Sequence, residues 1–265
     1  MTPDYEVKFL LNSSLILSPG TTVPTDALLS AFSVEDSIKL YVQYVDTPAK
    51  DMYAAGWSPR IRNKEGKKGW ELTYKKRYPV DDDGNNIPAE ITDALLIAMQ
   101  DGFDDSHPKY EAEIDWGLEK KTLSISRKHQ VKEDDISKSD MTMPDVDQSR
   151  DVLRDEAPDK FNDWSSDGWG KDLLKTAILY GPVFATRYEG SWDGVDVDIE
   201  VWPIKKARGS DEMENIVEAS FTVDEEADAA SKQQSLRAFL QDKGWFVAQD
   251  SLKTQLVMDR YGPSS

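Results

Sequence analysis

Nine stretches of this chain alternate apolar and polar side chains with a period of two, the mark of strands that bury one face. They run over 4–11, 39–46, 57–63, 69–78, 109–116, 122–131, 184–191, 195–204 and 215–223. In an extended strand, residues two apart share a face. Asp4, Glu6 and Lys8 therefore oppose Tyr5, Val7 and Phe9, and Arg60 and Arg62 flank Ile61. Glu71, Thr73, Lys75 and Arg77 oppose Trp70, Leu72 and Tyr74, while Glu111, Glu113 and Asp115 oppose Ala112 and Ile114. Asp196, Asp198 and Glu200 oppose Val197, Ile199 and Val201; Glu218, Ser220 and Thr222 oppose Val217, Ala219 and Phe221.

Such faces suit a one-sided antiparallel sheet whose polar side lies in water. They equally suit a sheet curled into a barrel, with helices outside and the charges lining the interior. The charges are sorted by strand, which favours the barrel: Arg and Lys dominate 60–77, whereas carboxylates dominate 111–115 and 196–200. Carboxylates in a lumen would hold a hard cation such as Mg²⁺ or Mn²⁺ through oxygen ligands. Arg and Lys strands would grip phosphate oxygens by charge-assisted hydrogen bonds. Buried charge left unpaired is costly, so this reading requires an anionic ligand together with a metal. Helical spacing over 24–32, 88–101, 147–156, 171–180 and 225–243 makes the fold class α+β. The tryptophans at strand positions, Trp57, Trp70, Trp116 and Trp202, are expected to pack the barrel under its helices.

Composition narrows the partners. A formal net charge of −18 argues against nucleic acid and membrane surfaces, which attract basic faces. Residues 60–78 nonetheless carry eight basic and two acidic groups, a basic island that fits a small anionic ligand. With no cysteine and two histidines, disulfide, thiolate and zinc–cysteine chemistry are excluded, and a His-rich centre is disfavoured. His107, in a loop before Pro108, and His129, at a strand end, are expected to be structural or solvated. No G-x-G-x-x-G or G-x-x-x-x-G-K-[ST] phosphate loop is present. No apolar run approaches the roughly 20 residues of a membrane span. The strand pattern begins without a basic and apolar leader, so a cytoplasmic protein is expected.

The stretch "DYEVK" (4–8) resembles the E-x-E-x-K signature of the CYTH proteins, the triphosphate tunnel metalloenzymes. "YVDTPAKDMYAAGWSPRIRNKEGKKGWELTYKKRY" (44–78) resembles the family's Y-x-D-T-P turn followed by an R-x-R and a T-x-K strand. "KYEAEID" resembles its E-x-E strand, "TRYEGSWDGVDVDIEV" its later arginine and aspartate strands, and "IVEASFTVDEEADAASKQQSLRAFLQDKGW" its closing strand and C-terminal helix. The region 130–175 matches nothing in that pattern and reads as an acidic insertion or loop within a single domain over 1–265.

The resemblance implies an eight-stranded antiparallel closed tunnel with a charged lumen and helices packed outside. It makes Asp4, Glu6 and Glu218 metal-side carboxylates, and Arg60, Arg62, Lys75 and Arg187 the phosphate-binding cations. Lys76 and Arg77 compete with Lys75 for its role. Asp198, or Asp196 on the same face, would be the later aspartate, and Glu111 and Glu113 either metal ligands or counter-charges. Lys8 and Glu6 form the catalytic pair, with Lys8 contacting phosphate or activating the nucleophile. A lysine base must shed its proton, which a cationic neighbourhood promotes.

Two departures bear on the chemistry. Asp4 stands where the signature has Glu, and Ser220 stands where many members carry a second closing Glu. A hydroxyl is a poor Mg²⁺ ligand beside a carboxylate. The expectation is a Mg²⁺- or Mn²⁺-dependent phosphohydrolase acting on a polyphosphate or an organic tri- or diphosphate. Ser220 and the two tryptophans of "WSSDGWG" (164–170) motivate an alternative, a tunnel-fold lyase or cyclase acting on a diphosphate ester. A third reading is a non-catalytic polyphosphate-binding module. The large aromatics are compatible with a homodimer.

Overall fold

In the computed structural model, which describes residues 1–80, 90–104, 109–132, 141–250 and 253–262, all nine periodic stretches are strands of one closed barrel. They are β1 (Asp4–Leu11), β2 (Asp36–Asp46), β3 (Trp57–Lys64), β4 (Trp70–Val80), β5 (Glu111–Trp116), β6 (Lys121–Val131), β7 (Ile178–Trp192), β8 (Val195–Lys205) and β9 (Met213–Val223). Around the ring the order is β1-β5-β6-β4-β3-β2-β7-β8-β9, and β9 closes on β1 from Tyr5↔Val223 to Leu11↔Val217. A two-residue β10 (Phe246–Val247) pairs with the end of β1 outside the ring.

Nine barrel strands correct the expected eight, and parity gives the reason for a second correction. A ring of purely antiparallel neighbours must hold an even number of strands. A ninth strand therefore forces one parallel pair, and here it is β1–β5, with Asp4 aligned to Glu113 and Glu6 to Asp115. The tightest connection, between β7 and β8, is Asp193-Gly194 with φ of 49° and 76°, the left-handed pair that a type I′ turn requires.

Nine helices are present among the described residues: α1 (Ser13–Ile16), α2 (Asp26–Ala31), α3 (Asp51–Ala54), α4 (Ile91–Gln100), α5 (Val146–Asp155), α6 (Asp159–Asn162), α7 (Trp169–Lys175), α8 (Glu226–Asp242) and α9 (Lys253–Arg260). The predicted helix over 171–180 stops at Lys175. Ile178, Leu179 and Tyr180 instead pair with Asp46, Val45 and Tyr44 of β2, so a long-range ladder overrides local spacing. The outward strand faces form the main core, in which Phe9, Ile61, Leu72, Ile114, Ile125 and Ile199 are essentially inaccessible. Helix α8 covers it through Ala229, Leu236 and Leu240, and the α4–α7 layer through Ala94, Leu153, Phe161 and Leu174.

Strand β2 breaks this pattern. Leu40, Val42 and Tyr44 turn into the barrel and join Ala185, Ile204, Trp202 and the α9 residues Val257 and Met258 in a second core. Trp202 thus lies inside the wall, not under the outer helices. The outward Gln43 is buried, and its Nε2 donates to Pro144 O (3.1 Å) and Ser149 Oγ (2.9 Å).

The described part of 130–175 packs on the barrel. Asn63 Nδ2 and Trp70 Nε1 each donate to Thr142 O at 2.9 Å, and the Tyr74 hydroxyl donates to Leu153 O. Trp164 packs on Trp57 with ring centroids 5.6 Å apart, and Trp169 meets Phe161 at 5.9 Å. Both anchor the outer layer. The turn over 81–86, His107 and part of the 133–147 segment lie outside the described residues. His129 is half-buried, 3.2 Å from Glu156 Oε2. Among the described residues no helix is long and apolar enough to cross a membrane.

Candidate functional site

The barrel wall encloses a cavity of about 350 Å³. From β1 it receives Asp4, Glu6 and Lys8, from β3 Arg60 and Arg62, and from β4 Lys75 and Arg77. β5 adds Glu111, Glu113 and Asp115, β7 Arg187, β8 Asp198 and β9 Glu218. Two ambiguities in the sequence resolve. Asp196 is exposed, so Asp198 is the lumen aspartate. Lys76 lies on the other side of β4, buried 4.2 Å from the Trp164 ring centroid and donating to Ala55 O at 2.7 Å.

Three further charged groups line the cavity: Glu200, Lys128 and Lys253. Glu200 shared the inward face read from the alternation of β8. Lys253 and its neighbour Thr254 come from α9, whose one sequence signal is the apolar run Leu256, Val257 and Met258 in a polar tail. Eight carboxylates and eight cationic groups then line one cavity, which is formally neutral. A bare polyanion gains no net attraction there, whereas a phosphate chain neutralised by a cation matches it.

On the β1–β5 wall, Lys8 Nζ lies between Glu6 Oε2 (2.9 Å) and Asp115, and Lys75 Nζ reaches Glu113 (3.2 Å) and Asp115 (3.7 Å). Glu6, Glu113 and Asp115 each place a carboxylate oxygen within 4.8 Å of the others, a spacing that one cation can bridge. Burial, and then Glu113, Asp115 and Glu218 nearby, push Glu6 up to about 7 although Lys8 opposes them. Burial alone would raise Asp115 too, but Lys75 and Lys8 hold it well below the usual carboxylate range. For Lys8, burial favours the neutral amine, yet Asp115 and Glu6 outweigh it and hold the ammonium well above its ordinary value. The charges nearest Lys8 are the carboxylates of Glu6 and Asp115, with Lys75 on the far side of Asp115, and they favour its ammonium form.

The facing wall is differently organised. Arg187 donates to Glu200 Oε1 from Nε (3.0 Å) and Nη2 (2.7 Å) and pairs with Asp198 at 2.6 Å, so all its nitrogens are committed. Lys253 Nζ bridges Glu200 Oε2 (2.5 Å) and Glu218 Oε1 (2.6 Å). Burial would raise Glu200, but Lys253 and Arg187 hold it well below its ordinary value. Arg62 is held by Glu71 at 2.7 Å, and Arg60 Nη2 donates to Thr73 Oγ1 at 3.1 Å. The Nε groups of both arginines and Oε2 of Glu218 are buried without a hydrogen-bond partner. Such orphaned groups are rare in a finished core and common where a ligand completes the set.

The raised carboxylates set a sign for stability. Glu6, Asp4 and Asp198 bind protons more tightly folded than unfolded, so their ionisation opposes folding as pH rises. In EDTA the protein should melt at a higher temperature at pH 5 than at pH 7.5. Glu6→Gln should flatten that slope between about pH 4.5 and 7. Thermal melts across this range check it, and an unaltered slope in the variant would count against the assignment.

No family model and no curated protein matches the sequence. Solved structures do match over nearly the whole chain. HpAC1 from Hippeastrum, studied as an adenylyl cyclase and described as having a dominant triphosphatase activity, superposes with a TM-score of 0.50. Identity is 13%, over 96% of this chain and 94% of that one. The fold is that of the CYTH, or triphosphate tunnel, proteins. PH1819 of Pyrococcus horikoshii gives a TM-score of 0.47 at 14% identity, covering 96% and 98% of the two chains. An adenylate cyclase candidate of Bacillus halodurans gives 0.46 at 13%, covering 95% and 93%. Apart from Glu71 and the exposed Asp196, the charges assigned to the polar strand faces line this cavity.

Proposed function

We propose that the chain is a divalent-metal-dependent phosphohydrolase acting on a polyphosphate or organic triphosphate within the barrel. The observation that carries this reading is one cavity shared by a bridging carboxylate triad and two arginines with unpartnered Nε donors. The triphosphatase activity described for HpAC1, which has the same fold, supports it.

The residues fit a hard cation. Three oxygens lie within bridging distance, and crowded burial leaves Glu6 half-protonated near neutrality, a strain that a cation relieves. Glu6, Glu113 and Asp115 would hold Mg²⁺ or Mn²⁺, which supplies Lewis-acid neutralisation of phosphate charge. Arg60 and Arg62 orient the phosphate chain and stabilise charge that develops as the terminal phosphoryl group transfers to water. Lys8 and Lys75, paired with Glu6 and Glu113 in the wall, add positive charge beside them. Partial enclosure by the barrel wall strengthens each of these interactions relative to bulk water.

Purified protein incubated with tripolyphosphate, ATP or thiamine triphosphate should release phosphate with Mg²⁺ or Mn²⁺ and not in EDTA. No release across that panel would sink the hydrolase reading. The aromatic motive for a diphosphate-ester cyclase has weakened, since Trp164 and Trp169 pack outside the barrel.

A further inference from the structure

The metal reading leaves open how many ions the lumen takes, and the two walls differ on this point. On the β1–β5 wall, Asp4, Glu6, Glu111, Glu113 and Asp115 face Lys8, Lys75 and Lys128. On the β8–β9 wall, Ser220 follows Glu218 on the same face and aligns with Asp198 and Lys8. Its hydroxyl adds little to a divalent site. The Nζ of Lys253 already bridges the two carboxylates there, at 2.5 Å from Glu200 and 2.6 Å from Glu218.

Helix α9 fixes that ammonium in place. Thr254 Oγ1 meets Tyr44 Oη at 3.1 Å and accepts from Arg77 Nη2 at 3.2 Å, and Arg260 Nη1 pairs with Glu214 at 2.6 Å. Val257 and Met258 are buried in the second core. Lys8 bridges Glu6 and Asp115 in the same way, but there Glu113 adds a third carboxylate oxygen within 4.8 Å, whereas among the described residues no third carboxylate joins Glu200 and Glu218 at that spacing. We propose that Lys253 is a built-in cation standing in for a second metal ion, so that the lumen binds one divalent ion, on the β1–β5 wall.

The inference rests on the lumen being a metal–phosphate site, but its test needs no turnover. Mn²⁺ binding to the full chain, followed by electron paramagnetic resonance of the free ion without substrate, should saturate at one equivalent. Lys253→Met frees Glu218 and leaves Glu200 Oε2 with Trp202 Nε1 as its remaining donor, and should admit a second equivalent. Lys253→Arg should remain at one, and Lys253→Met/Glu218→Gln should return to one. Two equivalents in the wild type, none at all, or a single equivalent in a folded Lys253→Met variant would overturn the proposal. If Lys253→Met does not fold, Glu218→Gln alone decides. Unchanged binding of one ion supports the proposal, and weakened or lost binding makes Glu218 a metal ligand and overturns it. A chain that binds one Mn²⁺ yet releases no phosphate would refute the hydrolase reading and leave this inference standing.

Discussion

The Arg60→Ala/Arg62→Ala variant should release phosphate from tripolyphosphate with kcat/KM lowered by about 10³ or more, and either single variant by about 10²–10³. Both guanidinium groups come from one strand and share one cavity, so a phosphate chain meets them together. Glu71 and Thr73 already orient them, at 2.7 Å from Arg62 and 3.1 Å from Arg60. Their free Nε donors lose nothing when a phosphate oxygen arrives and gain a charge-assisted bond. Arg62→Lys should recover little, because an ammonium cannot reproduce the planar fork. Steady-state phosphate assays at saturating Mg²⁺, with circular dichroism confirming an intact fold, measure this. A double variant within about threefold of wild type would move phosphate recognition to other residues.

Trp57→Ala should cost about 3–5 kcal/mol of folding stability. Trp57 is fully buried on the outer face of β3. Its ring lies 5.3 Å from Phe161, 5.6 Å from Trp164 and 6.1 Å from Phe103, so it joins the barrel to the layer built by 141–175. Domains have net stabilities of roughly 5–15 kcal/mol, so the loss would take a large share. Denaturant melts should show a lower midpoint with an unchanged slope. Trp164→Ala, at a half-buried ring, should cost less and leave the KM for phosphate substrates unaltered. A raised KM for an organic triphosphate alone would instead give Trp164 a part in substrate binding.

Much of the barrel was legible because strand periodicity is a local property. Six of the nine stretches show which side is charged without reference to their neighbours, and the inward faces of β1, β3, β4, β5, β8 and β9 follow from that alone. What periodicity cannot encode is closure. Whether β1 meets β9 or β5, and in which direction, depends on pairings between distant segments. Strand β2 marks another limit: its inward Leu40, Val42 and Tyr44 look like an ordinary core face, and only α9 filling that end of the barrel explains them. Lys253 was hidden for the same reason. A lone lysine opening a short C-terminal helix has no signature until the fold sets it against Glu200 and Glu218.

The odd strand also ties architecture to chemistry. Deleting β5 would let β1 and β6 meet as antiparallel neighbours and restore an even ring, its circumference shorter by one inter-strand spacing of about 4.8 Å. It would also remove two of the three carboxylates able to bridge a cation, Glu113 and Asp115, along with the partners of Lys75. In this chain, strand number and ionic capacity cannot change independently: a lineage that trimmed the barrel to eight would have to rebuild its anionic centre elsewhere.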